Sequence, residues 1–157
     1  DGPVRRELQA RAGSNVEFVG HLADEDVVSL MQRCAASVFP SRDDFGLVPV
    51  ETMACGRPVL AFAEGGALET VVPGVTGELF ANGAAEGLRD ALIRFEPDRY
   101  DPETIRLHAL RWDLPVFELA IREAVSALAR ASVADLEPQR NPMLLDPLQL
   151  LPDPERV

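Results

Sequence analysis

A parallel α/β sheet with helices packed on both faces is the fold class this sequence predicts, and three observations predict it. Short apolar runs at 36–39, 58–62 and 77–80 are separated by helical spacing or by glycine and proline turns. Between Ala35 and Gly66 the chain reads strand, loop, helix, turn, strand, glycine loop, which is a βαβ unit and therefore a parallel pair. Pro58–Phe62 is continuously apolar, the mark of a strand covered on both faces. The 157 residues suffice for one domain with a sizeable core.

Taken in order, Val4–Ala12 reads as a helix, with Val4 and Leu8 on one face and Arg5, Arg6 and Arg11 outside; Gly13 ends it. Val16, Phe18 and Val19 predict a strand at 16–19, followed by a loop at Gly20, His21 and Leu22. Asp24 is placed to cap the next helix, with Asp26 in its first turn. Val27, Val28, Met31, Cys34 and Ala35 share that helix's core face. Leu47–Ala54 fits a helix whose first turn tolerates Pro49, because an N–H there has no intrahelical partner. Gly56 suits the position just past its end, and Pro58 prevents continuation.

Glu64-Gly65-Gly66 opens a short helix through Glu69 and Val71. Paired glycines let a backbone approach a ligand closely, or simply make a tight turn. Ala84–Phe95 is predicted helical, with Leu88, Ala91, Leu92 and Phe95 inward. Asp101 and Pro102 start another helix running to about Leu110, beside which His108 and Trp112 read as packing residues. Asp113 and Pro115 open the last long helix, striped by Phe117, Ile121, Ala124, Val125 and Leu128. Pro138, Pro142, Pro147, Pro152 and Pro154 break any further helix. The expected organisation is a domain at 1–131 and a Pro-rich tail at 132–157, disordered or loosely docked.

Hydrophobic residues are 46% and charged residues 26%, which is ordinary for a globular domain. A formal net charge of -11 argues against a nucleic-acid partner, since neutralising phosphates takes clustered Lys and Arg. Cys34 and Cys55 are too few for a disulfide framework and read as reduced core thiols of a cytoplasmic protein. No apolar run approaches a membrane span. No His/Cys cluster is present, so no metal is expected.

Two acids frame the central unit: Asp43 in the loop and Glu51 in the helix. Spacing alone reads Glu51 as a solvated helical acid and Asp43 or Asp44 as a helix cap. The helix start is more telling. Gly46, Leu47 and Val48 would present unpaired backbone N–H groups above the sheet, which is an anion site by geometry.

The stretch PSRDDFGLVPVETMACGRPVLAFAEGGALETVVPGVTGELF resembles the donor-binding half of a family 4 retaining glycosyltransferase of the two-domain GT-B type, most like bacterial mannosyltransferases. The resemblance covers about residues 1–120. Its acid, seven residues, glutamate pattern falls on Asp43 and Glu51, with Phe45-Gly46 after the first acid; that first acid is usually Glu, and here it is one methylene shorter. The resemblance implies a Rossmann-like sheet, one half of a GT-B fold, lacking the first strand and leaving an open apolar sheet position. It implies that Asp43 reaches the transferred sugar and is the catalytic residue. Gly46, Leu47 and Val48 would hold the diphosphate, Glu51 the ribose hydroxyls, and Gly65 and Gly66 would contact the donor. His21, in a loop at the carboxyl edge of the sheet, would be a ligand contact or simply solvated.

The implied activity is hexose transfer from a nucleotide sugar to a hydroxyl acceptor, as in polysaccharide biosynthesis, with GDP-mannose favoured over UDP-hexoses and with neither cofactor nor metal. The implied partner is an amino-terminal acceptor domain, absent here together with the family's basic pair upstream of Asp1. Peripheral membrane contact of the parent is compatible with this; nucleic-acid binding is not. The chain alone is expected to be inactive. A non-catalytic nucleotide-sugar-binding module, or a structural remnant, is the alternative. A dehydrogenase domain is disfavoured because no Gly-x-Gly-x-x-Gly follows a first strand.

Overall fold

The computed structural model describes residues 2–81 and 85–130. Its elements run α1 (Arg5–Arg11), α2 (Asp24–Arg33), β1 (Ser37–Phe39), α3 (Leu47–Ala54), β2 (Val59–Phe62), α4 (Ala67–Thr70), β3 (Gly77–Phe80), α5 (Ala85–Arg94), α6 (Pro102–Ala109) and α7 (Leu114–Arg130). Single 3₁₀ turns at Pro97–Arg99 and Leu110–Trp112 flank α6. The expected tail at 132–157 lies outside the described residues.

The three strands form one sheet in the order β1-β2-β3, parallel throughout. Ser37 pairs with Val59 and Phe39 with Ala61; Val59 in turn pairs with Gly77 and Phe62 with Phe80. Alternation along β2 divides the core into two layers. Val59 and Ala61 join Phe39, Met53, Ala67, Val71, Tyr100, Ile105 and Ala109 on the face covered by α3, α4 and α6. Leu60, with half-buried Phe62, packs on Phe80 and Ala91 beneath α5. Both faces of β2 are therefore dry, which is why its sequence is apolar without interruption.

α3 crosses from β1 to β2 and ends as its sequence demands. The Gly56 N–H donates to the Met53 carbonyl (2.8 Å) and the Arg57 N–H to the Thr52 carbonyl (3.2 Å), the paired bonds of a Schellman end. At α6 the Asp101 side chain accepts from the Thr104 N–H (2.8 Å) and hydroxyl (2.6 Å), the predicted cap. Those bonds hold the Asp101 carboxyl below the usual carboxylate range.

Several expectations need correction. Residues 16–20 carry no regular secondary structure and join no ladder among the described residues, and Val16 and Val19 are exposed. An extended segment becomes a strand only when a neighbour takes its N–H and C=O groups. Among the described residues no strand pairs with the outer edge of β1, and Val38 in that edge strand is 41% exposed. Asp24 is the first helical residue of α2 rather than its cap, which is Ala23 without a side-chain bond. Val28 turns outward from α2, and Leu92 from α5. The predicted α7 helix is present, and its apolar stripe at Phe117, Ile121, Val125 and Leu128 is exposed along its length. Cys34 and Cys55 are free, as expected, but only half-buried.

Candidate functional site

The carboxyl edge of the sheet carries two loops, 40–46 after β1 and 63–66 after β2, and they are fastened to each other. The Gly66 N–H donates to the Asp43 carbonyl at 2.9 Å. A Cβ on Gly65 would overlap the Asp43 carbonyl oxygen, and one on Gly66 the backbone of Phe45. The contact is backbone against backbone, so only glycine permits it. Outside it, the Arg42 guanidinium pairs with the Glu64 carboxylate at 2.9 Å. The pair is exposed and adds little stability of its own.

Gly46 turns the first loop into α3. It adopts φ +77°, and a Cβ there would lie 3.0 Å from the ring of Phe39, the buried last residue of β1. Gly46 is thus the N-cap, and no side chain caps the helix. The expectation that Asp43 or Asp44 caps it is corrected: the N-cap is Gly46 itself, buried and in the left-handed conformation, with no side-chain cap bond. Leu47 and Val48, both exposed, follow directly, so two of the three residues expected to offer anion-binding amides lie on the surface at this edge. Aligned dipoles place partial positive charge there.

Glu51 is exposed and shares α3's outer face with Leu47, one turn or about 6 Å along the helix. The inner face is Pro49, Thr52 and Met53, all buried. Asp43 is exposed on the loop above. The fold therefore brings Asp43, Gly46, Leu47, Val48, Gly65 and Gly66 to one edge, with Glu51 just below it. His21 is exposed in its own loop and has no bond to these residues. The described residues contain no cluster of His, Cys, Asp or Glu able to hold a metal ion.

Sequence reasoning missed three participants. Phe39 is the floor under Gly46; its place at the end of a strand was the only signal. Arg42 is a cation at this edge, followed in sequence by Asp43 and Asp44 and paired in space with Glu64. The third is His108, read from sequence as packing. Its ring does pack edge-on against Trp112 (centroids 4.9 Å), but its Nε2 also bonds the Thr70 carbonyl at the end of α4 (2.9 Å).

Burial holds the His108 imidazole below its ordinary pKa of 6.5; the Arg111 charge acts in the same direction and the Thr70 bond opposes both. A lowered histidine value means the unfolded chain binds the proton more readily. The stabilisation is complete above the unfolded value and is lost as pH falls through the folded one. Urea denaturation between pH 7.5 and 5 is expected to show stability falling with pH, with a shallower fall in His108→Gln. An equal fall in both proteins would assign the dependence elsewhere.

Residues 4–110 match the glycosyl transferases group 1 family. The chain is 32% identical over 101 residues to a GDP-mannose-dependent monoacylated alpha-(1-6)-phosphatidylinositol monomannoside mannosyltransferase of Corynebacterium glutamicum, covering 59% of this chain and 26% of that one. Among solved structures it is similar to sucrose-phosphate synthase from Thermosynechococcus elongatus (TM-score 0.72, 31% identity, 83% of this chain and 36% of that one). It is also similar to the Anabaena protein HepE in complex with UDP-glucose (TM-score 0.64, 28% identity, 78% and 36%). The chain thus spans about a quarter to a third of the proteins it matches. No helix among the described residues is long and apolar enough to cross a membrane. With two thirds of its length matched, and with an α/β sheet like those of solved glycosyltransferases, the chain belongs to the group 1 glycosyl transferases.

Proposed function

We propose that this chain is the donor-binding part of a retaining hexosyltransferase whose acceptor is held by an amino-terminal domain of the parent. The observation that carries the reading is the start of α3, which no side chain caps, beside a glycine loop whose close approach to the 43–45 backbone only glycine permits. The amides of Gly46, Leu47 and Val48 hold the diphosphate, where they also stabilise the charge that develops as it leaves. Glu51, one turn down the same face, accepts from the ribose hydroxyls. Asp43 reaches the sugar, and the Gly65–Gly66 backbone lies against the donor. The bond between anomeric carbon and phosphate oxygen breaks with its electron pair going to the diphosphate, the acceptor hydroxyl oxygen bonds the same carbon on the same face, and the hydroxyl proton passes to the departing diphosphate oxygen.

GDP-mannose is the favoured donor, supported by the GDP-mannose-dependent relative. UDP-hexoses come next, supported by the UDP-glucose complex of HepE. Neither cofactor nor metal takes part. The parent works in the cytoplasm, where thiols such as Cys34 and Cys55 stay reduced. A second reading, a module that binds donor without turnover, is favoured by Asp43, whose side chain is shorter than the usual glutamate.

By itself the chain binds donor weakly and turns none over. Arg42, a cation at the same edge, is already engaged by Glu64, and the net charge of -11 repels a diphosphate until salt screens it. Without a second wall no acceptor is held in line, a proximity effect of about 7–11 kcal/mol. Incubation with labelled GDP-mannose, or with UDP-glucose in parallel, and a lipid-linked or sugar acceptor checks this, with and without a chelator. The expected result is no product and a dissociation constant weaker than the low-micromolar range. Turnover above background, or low-micromolar binding, would contradict it.

A further inference from the structure

α4 is four residues long, a single turn. A helix that short does not hold itself, because one turn of hydrogen bonds fails to offset the cost of fixing its backbone. Something outside it must set its place, and with it the place of Gly65 and Gly66 at its start. Ala67 and Val71 anchor it to the core, but such contacts tolerate rotation. The directional constraints are polar. Thr70, fully buried, donates both its N–H and its hydroxyl to the Gly66 carbonyl, each at 3.1 Å. The Gly66 N–H donates onward to the Asp43 carbonyl at 2.9 Å. At the other end, the Thr70 carbonyl receives no backbone N–H from the described residues. It accepts instead from His108 Nε2 on α6 at 2.9 Å. A carbonyl only accepts, so in this contact the hydrogen is on Nε2. The ring is held in turn by Trp112, whose other neighbour is the Arg111 guanidinium 5.5 Å from its centroid.

We infer that His108 is a positioning residue for the candidate site: through Thr70 it fixes the orientation of α4, and so the Gly65–Gly66 backbone and the Asp43 loop bonded to it. The inference rests on the reading of that edge as the donor site. It adds a residue in neither of the two loops and on a different element. His108 touches no substrate; it acts along a line of hydrogen bonds that runs from α6 to Asp43.

The test uses the whole chain with His108→Leu, His108→Gln and Thr70→Val. Gln keeps an N–H donor at similar reach, Leu keeps bulk without a donor, and Val removes the Thr70 hydroxyl alone. Amide hydrogen exchange is read without ligand, and affinity is read with GDP and UDP as probes. In His108→Leu, exchange at Gly66 and Val71 is expected to rise about tenfold, the effect of one lost hydrogen bond, while Val59–Ala61 of β2 stay within about twofold. Probe affinity falls alongside. His108→Gln restores both, and Thr70→Val loosens Gly66 in the same way. Unchanged Gly66 exchange in His108→Leu would overturn the inference. So would equal loosening of β2 without rescue by Gln, or unchanged Gly66 exchange in Thr70→Val should the Leu variant fail to fold. If the unsubstituted chain binds neither probe, the donor reading falls, and the exchange measurement still decides His108.

Discussion

Gly66→Ala is expected to weaken nucleotide-sugar binding by at least about tenfold and to cost about 1–3 kcal/mol of stability, the range for forcing extra atoms into a packed site. The effect is steric rather than conformational. Gly66 has φ -63°, ordinary for alanine. Its added Cβ, however, would run into the Phe45 backbone, including the carbonyl oxygen, which cannot rotate away as a side chain could. Either α4 or the 43–45 loop must shift, and the 2.9 Å bond from Gly66 to Asp43 is lost with it. Gly74→Ala supplies the converse control. It has φ +74° and nothing within 4 Å of a Cβ, so it pays backbone strain of about 1 kcal/mol and leaves the site alone. Paired denaturation and binding curves separate the two. Full affinity in Gly66→Ala would show that the fastening of the two loops is incidental.

Glu51→Gln carries the second large expected effect, and it works by chemistry at constant shape. A carboxylate accepts from two hydroxyls at once, and each charge-assisted bond contributes about 1.5–3 kcal/mol. The amide retains one acceptor oxygen and turns the other position into a donor. In a full-length enzyme carrying this domain, donor affinity or turnover is expected to fall at least about tenfold. The fold is expected to be unaffected, because Glu51 is exposed and its side chain packs against nothing in the core. Unchanged calorimetric affinity together with normal turnover would remove Glu51 from the ribose.

The parts of the fold that were legible in the sequence are those with local causes. Pro49, Gly56 and Pro58 punctuate α3 by backbone chemistry alone, and β2 announces itself because both its faces are dry. The misreadings share a dependence on neighbours. Val16–Val19 has strand composition, but strand character requires a partner that the described residues do not supply. The α7 stripe has the right period, yet period says which residues share a face, not what covers it; Phe117 is 58% exposed. The site follows the same division. The Phe45-Gly46 turn and the acids at 43 and 51 stood out only through the family resemblance; spacing alone read the acids as a cap and a solvated helical side chain. That Gly66 meets the Phe45 backbone, or that His108 reaches Thr70 across 38 residues, depends on how distant segments come together and leaves no trace in the local pattern.

If the start of α3 receives the diphosphate and the glycine loop lies against the donor, the backbone amides of both must respond to a nucleotide sugar. Amide chemical-shift mapping of the isotope-labelled chain during titration with GDP-mannose, repeated with UDP-glucose, tests it most directly, because it reports on weak binding residue by residue. The largest, saturable shifts are expected on the amides of Gly46, Leu47, Val48, Gly65 and Gly66, with Glu51 following. Shifts concentrated instead in the open grooves beside Phe18–Gly20 or along Pro102–Leu110, or no saturable shift with either nucleotide sugar, would contradict it.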